Sequence, residues 1–266
     1  MNDIIIRKSK INYRLYNLQY SHKDCFLVFL HDGLGSVDQL NDFPSKISDE
    51  LKLPALSYDR QGHGGSDKLL LKRNKNYFSL EAKKLKILLS NLKICNNLVL
   101  IGSSDGGTIS LIYASLFSEK IQGIVTIAAH TFVEEKTIAG VIDLKEKYFK
   151  SGFREHLVKY HGDKTDFLFA DWMNLWLSAS FRNWNIFKEL KKIKCKVLAL
   201  QGDIDEYGTN EQLKSIKKYI GKKCIVKLIK DANHFPHLKK KNEVIGLIKK
   251  FIVDEISCPD KSSSPV

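Results

Sequence analysis

The stretch Leu98-Val99-Leu100-Ile101-Gly102-Ser103-Ser104-Asp105-Gly106-Gly107 constrains this chain more than any other. Four apolar residues read as a buried strand, and Thr108 to Ala114 reads as a helix packed on the same sheet. Between them lies a G-x-S-x-G pattern, Gly102 to Gly106. Strand, tight turn and helix form the context in which that pattern makes a nucleophile elbow. The central serine of such a turn is strained, and backbone passes close to the positions two residues away. A side chain would clash there, so glycine flanks the serine. This spacing selects Ser104. If Ser103 were the nucleophile, Ile101 and Asp105 would occupy the crowded positions. The competing reading is a glycine-rich strand-to-helix turn with no chemistry.

The chain has 266 residues, 43% hydrophobic and 27% charged, which suits one soluble globular domain carrying an insertion. No apolar run is long enough to cross a bilayer, and no membrane partner is expected. The apolar run near Met1 is too short for a signal peptide, so a cytoplasmic location is the default. The five cysteines, Cys25, Cys95, Cys195, Cys224 and Cys258, include no C-x-x-C, and neither a disulfide framework nor a zinc site is expected. Lysine pairs and short runs carry most of the net charge of +13. Scattered as they are, they read first as solvated faces. The functional alternative is an acidic partner, such as a carrier protein, or an anionic substrate. Nucleic acid is not expected, because the basic residues form no single block with interleaved aromatics.

Along the chain, Ile4 to Tyr20 reads as a pair of edge strands, and Cys25 to Leu30 as a strand covered on both faces. The glycine-rich loop His31-Asp32-Gly33-Leu34-Gly35-Ser36 follows, and a loop of this kind can turn a backbone N–H towards developing negative charge. Further strands are expected at Ala55–Tyr58, Ile121–Ala128, Cys195–Leu200 and Ile225–Ile229. Helices are expected at Leu80–Leu92, Glu211–Ile220 and Asn242–Ile256. His63, between glycines, reads as structural. Residues 131–192 have no clear strand and hold all three tryptophans. They read as a helical cap set into a core made of residues 1–130 and 193–256. Its helices are expected at Thr137–Lys150, Phe153–Tyr160, Asp166–Leu177 and Asn185–Leu190. Trp172 and Trp176 share a helix face and either pack the cap onto the core or line an apolar pocket. Residues 257–266, rich in Ser and Pro, read as a disordered tail.

A serine hydroxyl needs a histidine base, and the histidine needs a carboxylate to fix its tautomer. Here serine, acids and histidine each follow an expected strand, in the order Ser, Asp, His. At this point the chain resembles the α/β-hydrolase superfamily over about residues 4 to 256. His31 to Ser36 resembles its oxyanion-loop motif, and Tyr58-Asp59-Arg60-Gln61-Gly62-His63-Gly64-Gly65-Ser66 its D-x-R-G-x-G-x-S loop. Gly202-Asp203-Ile204-Asp205 matches the G-x-x-D acid motif and places the acid at Asp205, with Asp203 and Glu206 as competitors. Asn233-His234 takes the place of the usual Gly-His and puts the base at His234, with His237 as competitor. Asp32 departs from the pattern and leaves the first oxyanion donor open between the N–H groups of Gly33 and Leu34; the second is expected from Asp105. The elbow's Ser-Asp-Gly-Gly, and the cap from Tyr160-His161-Gly162-Asp163 to Trp176, also resemble the valacyclovir hydrolase (biphenyl hydrolase-like) branch.

The resemblance implies an α/β fold with a mostly parallel sheet and a helical cap, and a serine hydrolase of small carboxylic esters, amides or thioesters. It implies no cofactor and no metal. A serine elbow disfavours the dehalogenases and epoxide hydrolases of the superfamily, which use aspartate. Alternatives are a pimeloyl-carrier-protein methyl ester esterase, an aminopeptidase-like hydrolase and a ligand-binding member with little turnover. Asp105 either complements its helix N-terminus or binds a substrate ammonium.

Overall fold

In the computed structural model, which describes residues 2–94, 97–256 and 258, eight strands form one sheet in the order β1-β2-β4-β3-β5-β6-β7-β8. The first two, β1 (Asn2–Ile6) and β2 (Ser9–Tyr16), make an antiparallel hairpin, and β2 pairs antiparallel with β4 (Ala55–Tyr58). From β4 onward the sheet is parallel, through β3 (Cys25–Leu30), β5 (Asn97–Ser103), β6 (Ile121–Ile127), β7 (Lys196–Gly202) and β8 (Cys224–Ile229). Every residue of β3 is buried, because helices cover both faces.

Alternation along the strands divides the core in two. Phe26, Val28 and Leu30 face a layer built on α2 (Tyr77–Asn91) and α3 (Asp105–Leu116). Cys25, Leu27 and Phe29 face α1 (Phe43–Leu51) and α10 (Lys241–Glu255), through Phe43, Ile47, Val244 and Ile248. The parallel strands all end at the same edge of the sheet, where open α/β folds gather functional loops.

Between β6 and β7 the chain is helical: α4 (Glu135–Lys150), α5 (Phe153–His161), α6 (Thr165–Leu177) and α7 (Phe187–Leu190). Its only β feature among the described residues is the isolated bridge between Phe132 and Asn185. Helix α7 has four residues, two fewer than the expected Asn185–Leu190. It packs against α3 and α8 (Glu211–Ile220), with Phe187 stacked on Tyr219. The end of the inserted segment thus lies against the core. A last short helix, α9 (Pro236–Lys239), leads into α10.

One expectation is corrected. Cys25 and Cys258 form a disulfide, with Cα atoms 5.2 Å apart. They are 233 residues apart in sequence, and no local spacing could show the pair. They meet because α10 packs beneath the strands and delivers the chain to the start of β3. Such bonds are rare in cytosolic proteins, so the pair does not favour a cytoplasmic location. Cys195 and Cys224 are free thiols. Apart from Cys258, the expected disordered tail lies outside the described residues. Among those residues, no helix is long and apolar enough to cross a membrane.

Candidate active site

The elbow is built by backbone crowding. Ser104 sits at φ 50° and ψ −118°, a conformation that L residues rarely adopt. A Cβ on Gly102 would lie 2.2 Å from the Gly106 carbonyl oxygen, and one on Gly106 would lie 2.3 Å from that of Leu30. Both positions therefore require glycine. The Ser104 N–H donates to Ile127 O at 2.8 Å, which fixes the turn against β6. Ser103, at the end of β5, is buried with no hydrogen-bond partner for its hydroxyl.

Ser104, His234 and Asp205 come together. The Ser104 hydroxyl is 2.9 Å from His234 Nε2, and His234 Nδ1 is 2.8 Å from Asp205 Oδ1. A carboxylate only accepts, so the imidazole carries its proton on Nδ1 and presents Nε2 to the serine. Asp205 Oδ1 also receives the N–H groups of Tyr207 at 2.8 Å and Gly208 at 3.2 Å, which hold it in place. Burial pushes the Asp205 carboxyl up, but His234 outweighs this and the net direction is down. Burial lowers His234, but the Asp205 charge outweighs it and raises the imidazole above its ordinary value. Both directions describe an aspartate that stabilises an imidazolium.

The competing residues have other partners. Asp203 is exposed and accepts the Ala232 N–H. Glu206 Oε2 accepts the backbone N–H of His234 at 2.9 Å, and so helps to place the loop. His237 is buried in the cavity wall against Phe43, and burial takes its imidazole down to about 3.

Of the two candidate oxyanion donors, the Leu34 N–H is occupied by Asp32 Oδ1 at 3.0 Å. This leaves the Gly33 N–H. The Asp105 N–H opens α3, where no intrahelical acceptor exists for it. Asp105 itself is buried. Burial lifts its carboxyl to about 6, against the lowering effect of Arg60 and Arg73, and its Oδ2 has no hydrogen-bond partner.

A cavity of about 230 Å³ opens beside Ser104. The core supplies Leu34, Leu40, Phe235 and Leu238 to its walls, while Val141, Leu144, Phe153 and Leu157 of the inserted helices close it. Trp172 and Trp176 both line it. Trp172 Nε1 would lie 2.2 Å from a Cβ on Gly33, so that glycine also makes room for the indole. Trp176 packs edge-on against His130, 5.1 Å between ring centroids.

Three further groups, one lining the cavity and two outside its walls, were not visible as such in the sequence. His130 stands 5.7 Å from the His234 ring and binds the Tyr207 carbonyl through Nε2. Arg73 and Asp171 form a buried ion pair at 2.8 Å that ties the loop after β4 to α6. His161, at the end of α5, bonds Leu34 and Gly64. Only its place in a quoted motif marked it beforehand. The contacts themselves span from 97 to 127 residues of sequence.

Residues 27–170, just over half of the chain, match the family model described as alpha/beta hydrolase fold, and the chain belongs to that family. It is 22% identical to a Haemophilus influenzae protein provisionally classed as an esterase/lipase, covering 93% of this chain and 90% of the relative. It is 21% identical to a proline iminopeptidase of Saccharolobus solfataricus, covering 91% and 88%. Among solved structures it superimposes on a carboxylesterase-study structure from Nitrososphaera gargenis with a TM-score of 0.73, at 19% identity, covering 95% and 98%. Membership is established at the level of this family, not at that of the biphenyl hydrolase-like branch.

Proposed function

We propose that the protein is a serine hydrolase of small carboxylic esters, or of related amides or thioesters, working through an acyl-enzyme. The observation that carries this reading is the continuous hydrogen-bonded series Ser104–His234–Asp205 opening on an apolar, helix-roofed cavity. Ser104 Oγ attacks the carbonyl carbon as its proton passes to His234 Nε2. The carbonyl oxygen takes up the negative charge and is held by the N–H groups of Gly33 and Asp105. Collapse of the adduct expels the alcohol, amine or thiol, which receives the proton from His234. Water then adds to the acyl-enzyme with His234 taking its proton; the bond to Ser104 Oγ breaks, Oγ recovers that proton from His234, and the acid leaves. Asp205 stays ionised and stabilises the imidazolium.

The esterase/lipase relative supports the ester reading. A second reading, hydrolysis of substrates bearing a free amine, rests on the unpartnered buried Oδ2 of Asp105 in the cavity wall and on the iminopeptidase relative. A third class, carrier-protein esters, rests on the net charge of +13 alone. A hydrolysis panel of p-nitrophenyl esters, aminoacyl esters and acyl-carrier-protein methyl esters separates the three. The Ser104→Ala variant should lose roughly 10³- to 10⁶-fold in kcat on whichever is turned over. Full activity in that variant would remove the proposal. Asp105→Asn, compared on an aminoacyl ester and its des-amino analogue, tests the second reading. That reading requires a loss confined to the amino substrate, by about ten- to a hundredfold in kcat/KM.

A further inference from the structure

The geometry points to His161 as a positioning residue that carries the seating of the inserted helices into the oxyanion loop. The inference rests on the hydrolase reading above. Four consecutive carbonyls, from residue 31 to residue 34, are each held from outside by a side chain. Arg60 donates from Nη1 to His31 O and from Nη2 to Asp32 O, both at 2.6 Å. His63 Nε2 is 3.1 Å from Gly33 O. His161 Nε2 is 2.8 Å from Leu34 O. Arg60 and His63 belong to the core loop after β4, whereas His161 is the last residue of α5. The far end of the loop is therefore held by the inserted segment.

The protonation of His161 follows from its partners. The Gly64 N–H donates to Nδ1 at 2.9 Å, so Nδ1 carries a lone pair and Nε2 carries the proton given to Leu34 O. The ring is buried and bridges two core loops with both nitrogens used. Three residues on, Lys164 Nζ donates to the Ser66 carbonyl at 2.5 Å and to that of Gly64, which fastens the same end of the segment.

The consequence for chemistry comes from peptide planarity. A carbonyl and the N–H that follows it point in opposite directions across one rigid plane. Pinning Asp32 O back on Arg60 therefore aims the Gly33 N–H away from Arg60, and the planes after it must stay fixed for that aim to hold. His161 fixes the last of them. Loss of the bond should act on the charge-developing step more than on substrate binding.

The test compares His161→Phe, which fills the ring space and removes both bonds, with His161→Gln, whose amide can donate to Leu34 O and accept from Gly64. On an ester turned over by the wild type, His161→Phe should lower kcat by about ten- to a hundredfold. That is less than the 10²–10³-fold lost when an oxyanion donor itself is removed. KM should move by no more than about threefold, and the inhibition constant of a trifluoromethyl ketone should rise in step with the fall in kcat/KM. His161→Gln should restore most of kcat. If His161→Phe proves too unstable to assay, His161→Asn, one methylene shorter than Gln, takes its place. A variant of lower thermal stability that keeps kcat and ketone affinity overturns the inference, as does a loss confined to KM or an absence of rescue by Gln. Ser104→Ala is run alongside. If it stays active, the hydrolase reading fails; if it is dead while His161→Phe is unimpaired, only the role of His161 fails.

Discussion

Ser104 holds a strained turn because every neighbour is fixed by something else. Gly102 and Gly106 allow three backbone segments to meet, and the Ile127 carbonyl holds the Ser104 N–H. Gly106→Ala should therefore cost about 3 kcal/mol, read from denaturant unfolding, because the Leu30 backbone cannot retreat from the new methyl group. The pH dependence follows from His234. Burial lowers its pKa, Asp205 raises it, and the net direction is up. The base works only when neutral, so kcat/KM should rise with pH through an inflection above the ordinary histidine value of 6.5. Asp205→Asn should lower kcat and move that inflection to lower pH; an unmoved inflection would dissociate the two residues. The elbow was legible in the sequence because its constraints are local, with crowding, strain and helix start inside five residues. Asp203 and Asp205 were harder to separate, since both follow the same strand. What distinguishes them is that Asp205 is buried on His234, whereas Asp203 points to solvent and binds Ala232.

Among the elements, strands were more legible than contacts between distant segments. Apolar runs such as Cys25–Leu30 mark parallel strands buried on both faces, and helical spacing marked α2, α8 and α10 to within a few residues. Helix α7 starts two residues later than expected, and its Phe187 stacks on Tyr219. Contacts such as Arg73–Asp171 and Cys25–Cys258 have no local signature. The disulfide fastens the chain after α10 to the first central strand. Cys258→Ser should lower stability by about 2–4 kcal/mol, seen as a lower Tm under non-reducing conditions. It should leave kcat/KM nearly unchanged, since the bond lies at the start of β3, at the opposite end of the strands from Ser104. Equal stability of variant and wild type would mean that the bond does not form in solution. Trp172→Ala should change KM and substrate preference, because the indole walls the cavity and covers Gly33. Unchanged KM values across an ester series would place substrate away from α6.

The whole molecule is a sheet whose parallel strands deliver a serine, an acid and a histidine to one edge, under helices inserted between β6 and β7. The cavity lies at the seam between them, with apolar walls drawn from both sides. Small apolar-bodied substrates with one polar reacting group suit such a site. The proposed hydrolysis turns on Ser104 acting as a nucleophile activated by His234. A fluorophosphonate probe, with the adduct mapped by peptide mass spectrometry, tests it most directly. One probe per chain is expected, on Ser104, with labelling abolished in Ser104→Ala and slowed by orders of magnitude in His234→Ala. Labelling on Ser103 in the intact protein, or ester turnover that continues in a chain resistant to the probe, would contradict it.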